Sequence, residues 1–498
     1  MKNALTIDLE EWYHPELVRR HVNDFQPQIS KSTNQILQIL KKHNVKATFF
    51  VLGDVAKKNP QLIKQIYDEG HEIASHGMSH IPLWNMNQYD FDKELKQFKN
   101  IIRNILGTDI KINGFRAPTF SIDNTTKYGV KCLINNGFQY DSSVFPIKTP
   151  LYGISNAPNI IYKIDQNDLS QENGTSEMIE FPLTVFKTGH LKVPISGGFY
   201  LRIIPYFLLK WLLKEFNKKA PFVIYFHPWE TYLETPRIKK IGLKNYLITY
   251  YGINKCLSKI ERLLQDFEFG TMNEIITREE KMEMSVKEYF EKCADRFDGY
   301  YKDKETTRLQ QFIHNTLRKP GLISRFEAVM DMIGDVKGKT ILDVGCGSGI
   351  YSVYLEKNGA EVNGIDFSSS MISLAIKNAK KENSGATFTV SDFLDCPDSL
   401  TYDFLLFVGF FDYLKKSILP LFLNKAVNLT KGGIIATFPK KFAFQTPLRY
   451  YWLRRQNCPV YFYTKHQIKK LAAEFSLEPT FFDCGPIWTV KFTKHPKT

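Results

Sequence analysis

Short apolar, β-branched runs alternate along this chain with segments of helical period, which is the pattern of α/β architecture. In the first half the runs that predict strands are Leu5–Leu9, Ala47–Leu52, Ile112–Phe115, Ile179–Leu183 and Phe222–Phe226. In the second half they are Thr340–Gly345, Glu361–Asp366, Ala386–Ser391, Phe404–Gly409, Gly432–Phe438 and a final pair around Phe481 and Val490. Between the halves, Asn273–Ser285 reads NEIITREEKMEMS, charged and poor in bulky aromatics, and a new amphipathic segment begins near Val286. The pattern therefore predicts one domain over 1–272, a linker over 273–285 and a second domain over 286–498. No internal repeat is visible, so the halves are expected to be different folds. The most apolar helical stretch, Ile203 to Leu213, carries Lys210 and is far too short to cross a bilayer. Burial against a sheet and contact with a membrane surface both fit it.

Composition narrows the classes. A chain of 498 residues exceeds one ordinary hydrophobic core, and 43% hydrophobic with 24% charged residues describes a globular protein. The net charge of +14 is spread along the chain and no nucleic-acid motif accompanies it, so no nucleic-acid partner is expected. A basic surface suits acidic substrates such as nucleotide- or phospholipid-linked sugars, peripheral contact with an anionic membrane, or simple solubility. The seven cysteines are scattered without a Cys-x-x-Cys pair, as in reduced, cytoplasmic proteins. The opening MKNALTIDLEEWYH enters a strand-like run without the apolar stretch of a signal peptide, so the expected location is cytoplasmic.

Chemistry is concentrated in five segments of the first half. On the first strand, alternation puts Asp8 and Glu10 on one face, a metal ligand and a general base side by side, or else an exposed edge. His76 and His80 are four apart, so one helical turn would bring both imidazoles together, a spacing that binds metal when a carboxylate completes the set. Arg116 lies on a Pro-stiffened turn, Asp141 in Tyr-Asp-Ser-Ser, and His227 at the end of an apolar strand in His-Pro-Trp-Glu.

In this order, from Lys2 to Phe269, these segments resemble the NodB-type polysaccharide deacetylases, whose domain is a distorted (β/α) barrel. Pro194-Ile-Ser-Gly-Gly-Phe-Tyr and the His227 segment look like the subgroup associated with exopolysaccharide biosynthesis. The resemblance implies Asp8 as general base, His76 and His80 as metal ligands, Arg116 orienting Asp8, and Asp141 supporting His227 as general acid. Most of the family has two adjacent aspartates, the second on metal, but Leu9 stands here and cannot ligate. Glu10 is the expected replacement and His14 a lesser one. The implied cofactor is a divalent ion, zinc first, with cobalt, nickel or iron fitting the same ligands. The implied substrate is an N-acetylated sugar, glycolipid or oligosaccharide. Two alternatives stay open: hydrolysis of a non-sugar C–N bond, or an inactive glycan-binding module.

The second half begins with Asp343-Val-Gly345-Cys-Gly347-Ser-Gly349, a strand running into a glycine turn and a helix. Position 350 is Ile, which departs from the Gly-x-Gly-x-x-Gly of dinucleotide binders, and Asp343 would repel a pyrophosphate but welcome a sulfonium. Asp366 ends the next strand, suited to ribose hydroxyls, and Asp392-Phe393 ends the third, suited to an adenine edge and face. These motifs, over Val286 to Lys491, resemble the class I S-adenosylmethionine-dependent methyltransferases, a doubly wound, Rossmann-like fold. Tyr289–Lys302 resembles the lid helix of small-molecule members. Phe410-Phe411-Asp412-Tyr413 either lines an acceptor pocket or packs. The fold class expected for the chain is thus α/β twice over, with both halves acting on a bacterial glycan or glycolipid precursor.

Overall fold

The computed structural model describes residues 1–23, 25–149, 151–172, 176–188, 191–278, 286, 289–291, 319–416, 418–456 and 458–494. The chain divides into two compact units, Met1–Arg278 and Glu279–Thr498. The first unit continues through Arg278 because Ile275 and Ile276, inside the segment expected to be linker, are buried in its core with Met272.

In the first unit the strands are β1 (Asn3–Leu9), β2 (Thr48–Val51), β3 (Glu72–Ser75), β4 (Gly114–Phe115), β5 (Tyr140–Asp141), β6 (Tyr162–Lys163), β7 (Ile179–Glu180), β8 (Val185–Thr188), β9 (Leu191–Pro194), β10 (Val223–Phe226) and β11 (Phe269–Gly270). The main sheet runs β10-β1-β2-β3-β4-β5-β7-β6, with β11 also on β1 and β8–β9 apart as a hairpin. Every pairing from β10 to β7 is parallel. The helices α1 (Ile29–Lys42), α2 (Pro60–Asp68), α3 (Gln88–Leu106), α4 (Tyr128–Asn135), α5 (Gly198–Ile203), α6 (Tyr206–Asn217), α7 (Leu243–Tyr250) and α8 (Ile253–Asp266) connect and flank these strands. β1 is buried at all seven positions, as expected of a parallel strand covered on both faces. The curled sheet closes imperfectly: Thr184, just past β7, exchanges side-chain hydrogen bonds with the backbone of Val223, and Gly197 bridges Tyr225. That is a distorted barrel.

The register decides where chemistry collects. Leu9 pairs with Val51, Val51 with Ser75, Ser75 with Phe115 and Phe115 with Asp141, while Ile7 pairs with Phe226. The strands thus end together, and Glu10, His76, Arg116, Ser142 and His227 are each the first residue past a strand. Barrel sites form at this C-terminal rim.

The second unit contains β12 (Thr340–Val344), β13 (Glu361–Asp366), β14 (Thr387–Val390), β15 (Tyr402–Phe407), β16 (Thr430–Pro439), β17 (Leu477–Asp483) and β18 (Ile487–Lys494). Their order is β14-β13-β12-β15-β16-β18-β17, all running one way except β18, which pairs antiparallel with both β16 and β17. Helices α9 (Lys319–Ile333), α10 (Ile350–Lys357), α11 (Ser369–Lys381), α12 (Leu419–Leu429), α13 (Thr446–Arg455) and α14 (Lys465–Ala473) accompany it. The strand order reverses direction at β12, and a doubly wound sheet opens its ligand crevice at that point. Of the expected lid helix, Tyr289, Phe290 and Glu291 are described and the remainder lies outside the described residues.

Three elements differ from the pattern. His76 and His80 are not on a helix: β3 ends at Ser75 and a loop follows, with Gly77 at φ 79° and His80 at φ 56°. The apolar stretch from Ile203 is split at Pro205 into α5 and α6, because proline favours a helix start over a helix interior. Strand β3 has only four residues and a polar start, which hid it in the sequence. Among the described residues no helix is long and apolar enough to cross a membrane.

Candidate active sites

At the barrel rim, ligand atoms of Glu10, His76 and His80 all lie within 4.8 Å of one another, and all three residues are buried. His76 Nδ1 sits 2.8 Å from the Arg116 carbonyl, so Nδ1–H donates and leaves the other ring nitrogen's lone pair free. Burial, the largest effect, holds His76 at about 4, hence neutral at ordinary pH. For Glu10, burial raises the carboxyl, but the charges of His80 and His227 outweigh it and the carboxyl is pulled down. Glu10 Oε2 and His80 Nε2 stand 2.6 Å apart, yet no hydrogen bond satisfies Oε2, nor His80 Nδ1. A buried carboxylate oxygen left without a hydrogen bond is completed by a cation, and a carboxylate converging with two imidazoles is a transition-metal donor set. The residues fit a divalent ion.

Asp8 stands beside this cluster. Arg116, fully buried, donates from Nη1 to Asp8 Oδ1 at 2.7 Å and to Thr6 Oγ1 at 2.9 Å. Its Nε and Nη2 donate to the carbonyl and hydroxyl of Ser142 at 3.1 and 2.9 Å, and its plane lies over Phe50. The guanidinium is fixed on three sides, and so is the carboxylate it holds. Asp8 Oδ2 is the oxygen on the site side, 3.9 Å from His227 Nε2. His227 Nε2 is also 3.2 Å from Glu10 Oε1, and the ring stacks on Trp229. Burial lowers His227, but Glu10, Glu230 and Asp8 together raise it to about 9.

The expected partner of His227 is corrected. Glu230 Oε2, not Asp141, meets His227 Nδ1, at 2.8 Å, and buried Arg202 holds Glu230 Oε1 at 2.9 Å. Glu230 reaches back because a short 3₁₀ turn, Pro228–Glu230, begins at His227 and its third residue caps the turn. The sequence signal was His-x-x-Glu with Pro between. Asp141 is instead part of a buried carboxyl pair: its Oδ1 accepts from Ser143, whose hydroxyl accepts from the Ala117 amide. Burial, with the Asp141 charge beside it, raises Glu180 well above its ordinary value. The remaining oxygens, Asp141 Oδ2 and Glu180 Oε2, find no donor, so one proton between them is what satisfies both. Asp141 thereby supports the turn that carries Arg116. Glu180 gave no sequence signal.

In the second unit, a cavity above β12 and β15 is lined by Asp343, Gly345, Gly347, Asp366, Phe410 and Asp412, among others. Asp343 accepts from the Ser352 hydroxyl at 2.6 Å, and burial raises it to about 6. Asp366 accepts from the Gly347 and Ser368 amides, which fixes its carboxylate at the cavity. Gly345, Gly347 and Gly349 all have φ between 55° and 76°, and a Cβ on Gly345 would lie 2.5 Å from the Phe410 ring. Two buried carboxylates converging on one cavity suit a ligand that is cationic at one end and rich in hydroxyls at the other.

Family models supply the assignment. One described as polysaccharide deacetylase matches residues 22–137, a domain of unknown function (DUF3473) matches 142–277, and one described as methyltransferase domain matches 341–433. This chain carries a polysaccharide deacetylase domain and a methyltransferase domain. The deacetylase domain is similar to a peptidoglycan-N-acetylglucosamine deacetylase of Bacillus cereus, 41% identical over 75 residues, 15% of this chain and 27% of that protein. It is also similar to a chitooligosaccharide deacetylase of Sinorhizobium fredii, 36% identical over 86 residues, 17% and 40% of the two chains. The chain therefore spans well under half the length of these relatives. Among solved structures, magnesium protoporphyrin IX methyltransferase from Synechocystis PCC 6803 with bound SAH is 19% identical, with a TM-score of 0.36 over 42% of this chain and 98% of that one. Asp8 and Glu10 of the deacetylase domain precede the matched stretch, so their pairing rests on geometry alone.

In the methyltransferase domain a second expectation is corrected. Phe393 is not an adenine platform: it is 2% exposed and packs on Phe407 and Phe422 in the core. Asp392 is exposed, is absent from the cavity lining, and caps the turn by accepting from Leu394 N–H. The turn after β14 rotates the aromatic inward, and the aromatics at the cavity are Phe290, Tyr351, Phe367, Phe410 and Tyr413. Of the Phe410–Tyr413 run, Phe411 is core while Phe410, Asp412 and Tyr413 face the cavity.

Proposed function

We propose that the first domain hydrolyses the N-acetyl group of a sugar with a divalent ion held by Glu10, His76 and His80, and that the second transfers a methyl group from S-adenosylmethionine to a sugar acceptor. The observation that carries the reading is the buried Glu10–His76–His80 cluster with Asp8 on one side and His227 on the other. A divalent ion there supplies Lewis acidity for the acetamide oxygen and lowers the pKa of water. Asp8 Oδ2, with its companion oxygen locked by Arg116, takes the proton of the attacking water. His227, kept protonated by its carboxylate neighbours, delivers a proton to the departing amine. Arg202 and Glu230 hold that imidazole in orientation, and acetate and a free amino sugar leave.

In the second domain Asp366 would accept the ribose hydroxyls of the methyl donor, and Asp343 would face its positively charged end. Methyl transfer then needs alignment and a dry pocket more than acid–base groups. Deacetylation exposes an amine, and an amine is a methyl acceptor, so the two reactions form one sequence on one glycan precursor. The test is acetate release from N-acetylated chitooligosaccharides by metal-loaded protein, with labelled methyl donor added to acetylated and to chemically deacetylated substrate. Acetate release with methylation confined to the free amine is expected. No acetate from any N-acetylated sugar refutes the hydrolase half, and equal methylation of both substrates refutes the sequence.

A further inference from the structure

Helix α6 buries Tyr206, Leu209, Leu212, Leu213 and Phe216 against the barrel, yet its outward face is apolar too. Phe207 is 77% exposed and Trp211, one turn on, 53% exposed. Helix α7 repeats the pattern: Leu243 is 77% exposed and Leu247, one turn on, 46% exposed, with exposed Tyr251 just past the helix end. An amphipathic surface helix turns such positions toward its own core, and outward apolar stripes of this size mark an interaction face. The two helices are joined at the active-site end. Arg202 of α5 donates to the carbonyl of Ile248 in α7, to that of Tyr251 just past it, and to Glu230 beside His227. Lys259 of α8 clasps the carbonyls of Leu201, Arg202 and Ile204, where α5 turns into α6.

The charges around these stripes choose the partner. Lys214, Lys218, Arg237, Lys239, Lys240 and Lys244 are all exposed, with Glu234 opposing them. Aromatic and leucine side chains flanked by lysines are the make-up of segments that lie in a bilayer interface, apolar groups in the acyl boundary and cations at the headgroups. A protein partner's apolar surface would give the lysines nothing to neutralise. An anionic lipid surface satisfies both halves of the face at once.

We propose that the outer face of α6 and α7 docks on an anionic lipid bilayer. Docking presents the rim that carries His227 and Glu230 to molecules anchored in that bilayer. The consequence for substrate class, a lipid-linked rather than a free glycan, rests on the proposed deacetylase reading; docking itself does not. The experiment is co-sedimentation of the full chain with phosphatidylcholine–phosphatidylglycerol vesicles and with phosphatidylcholine vesicles, at low and high salt. Wild-type protein is expected to sediment with the anionic vesicles, at least tenfold more weakly with the neutral ones, and less at high salt. The triple variant Phe207→Ser, Leu243→Ser, Leu247→Ser is expected to stay in the supernatant. A readout that needs no destabilising variant is quenching by brominated lipid of the fluorescence difference between wild type and Trp211→Phe. Wild-type protein left in the supernatant with anionic vesicles, or Trp211 unquenched, overturns the proposal. So does a concentration-dependent dimer, seen by sedimentation velocity and abolished in the triple variant, because it would assign the face to a second copy of the chain.

Discussion

Asp8, Glu10, Arg116, Arg202 and Glu230 are all ionic and all nearly inaccessible to water. A buried ion pair gains little over well-packed apolar side chains of similar volume, so stability alone does not account for so many. Their geometry accounts for them, because each fixed charge orients or tunes a group at the rim. Replacing Asp8 by Asn keeps size and removes the proposed base, so deacetylation should fall by about 10²–10⁴-fold while metal content, measured on the same samples, stays at the wild-type level. The pH dependence follows from His227. A general acid works only while protonated, and the carboxylates of Glu10, Glu230 and Asp8 raise His227 above its ordinary value, so activity should persist through neutral pH and fall on the alkaline side. Glu230→Gln removes one of the charges that raise it, so the alkaline limb of the kcat/KM profile should move to lower pH. A limb that does not move would detach Glu230 from the acid. At the carboxyl pair, Glu180→Gln keeps a donor for Asp141 and should melt close to wild type. Glu180→Leu strands a buried carboxylate and should cost about 1–3 kcal/mol in thermal denaturation.

Among elements, the glycine turn after β12 carries the firmest expectation. Gly345 combines a φ of 68° with a Phe410 ring 2.5 Å from any added Cβ. Gly345→Ala should therefore weaken binding of S-adenosylhomocysteine, read by calorimetry, at least tenfold and destabilise its domain by about 1–3 kcal/mol. This turn was fully legible, since a strand, spaced glycines and a helix leave few alternatives. Strand alternation pointed to Asp8 and Glu10 together, but Glu10 is the first residue past β1, where its amide turns back to the Asp8 carbonyl at 2.9 Å. The route by which His76 meets His80 was not legible. Spacing of four reads as one helical turn, but Gly77 and a left-handed His80 bring the rings together in a loop, their centroids 5.5 Å apart. A residue other than glycine at positive φ carries strain that must be held by its surroundings, and such strain gathers at ligand clamps. Glu230 escaped notice because a three-residue turn has no periodicity, and Phe393 misled because an acid–aromatic pair after a strand says nothing about which way the next turn rotates.

At the scale of the molecule, two units with separate cores hold two separate sets of ionisable groups. Their chemistries should be separable by mutation. Asp366→Ala is expected to abolish binding of the methyl donor, by calorimetry, and to leave acetate release unchanged. Asp8→Asn should leave methylation of chemically deacetylated substrate unchanged. Loss of both activities from either substitution would contradict independent sites. The alternation of strand and helix patterns made the two α/β units readable, whereas the outward apolar stripes of α6 and α7 were not, because an apolar helix reads the same whether it faces a sheet or a lipid.

The proposed hydrolase mechanism depends on Glu10 closing a coordination sphere that Leu9 cannot. Metal content by elemental mass spectrometry, on wild type and Glu10→Gln after loading with zinc and exhaustive dialysis, tests this most directly. Stoichiometric metal in the wild type and its loss from Glu10→Gln is the predicted result. Full retention in Glu10→Gln, or none in the wild type, would contradict it.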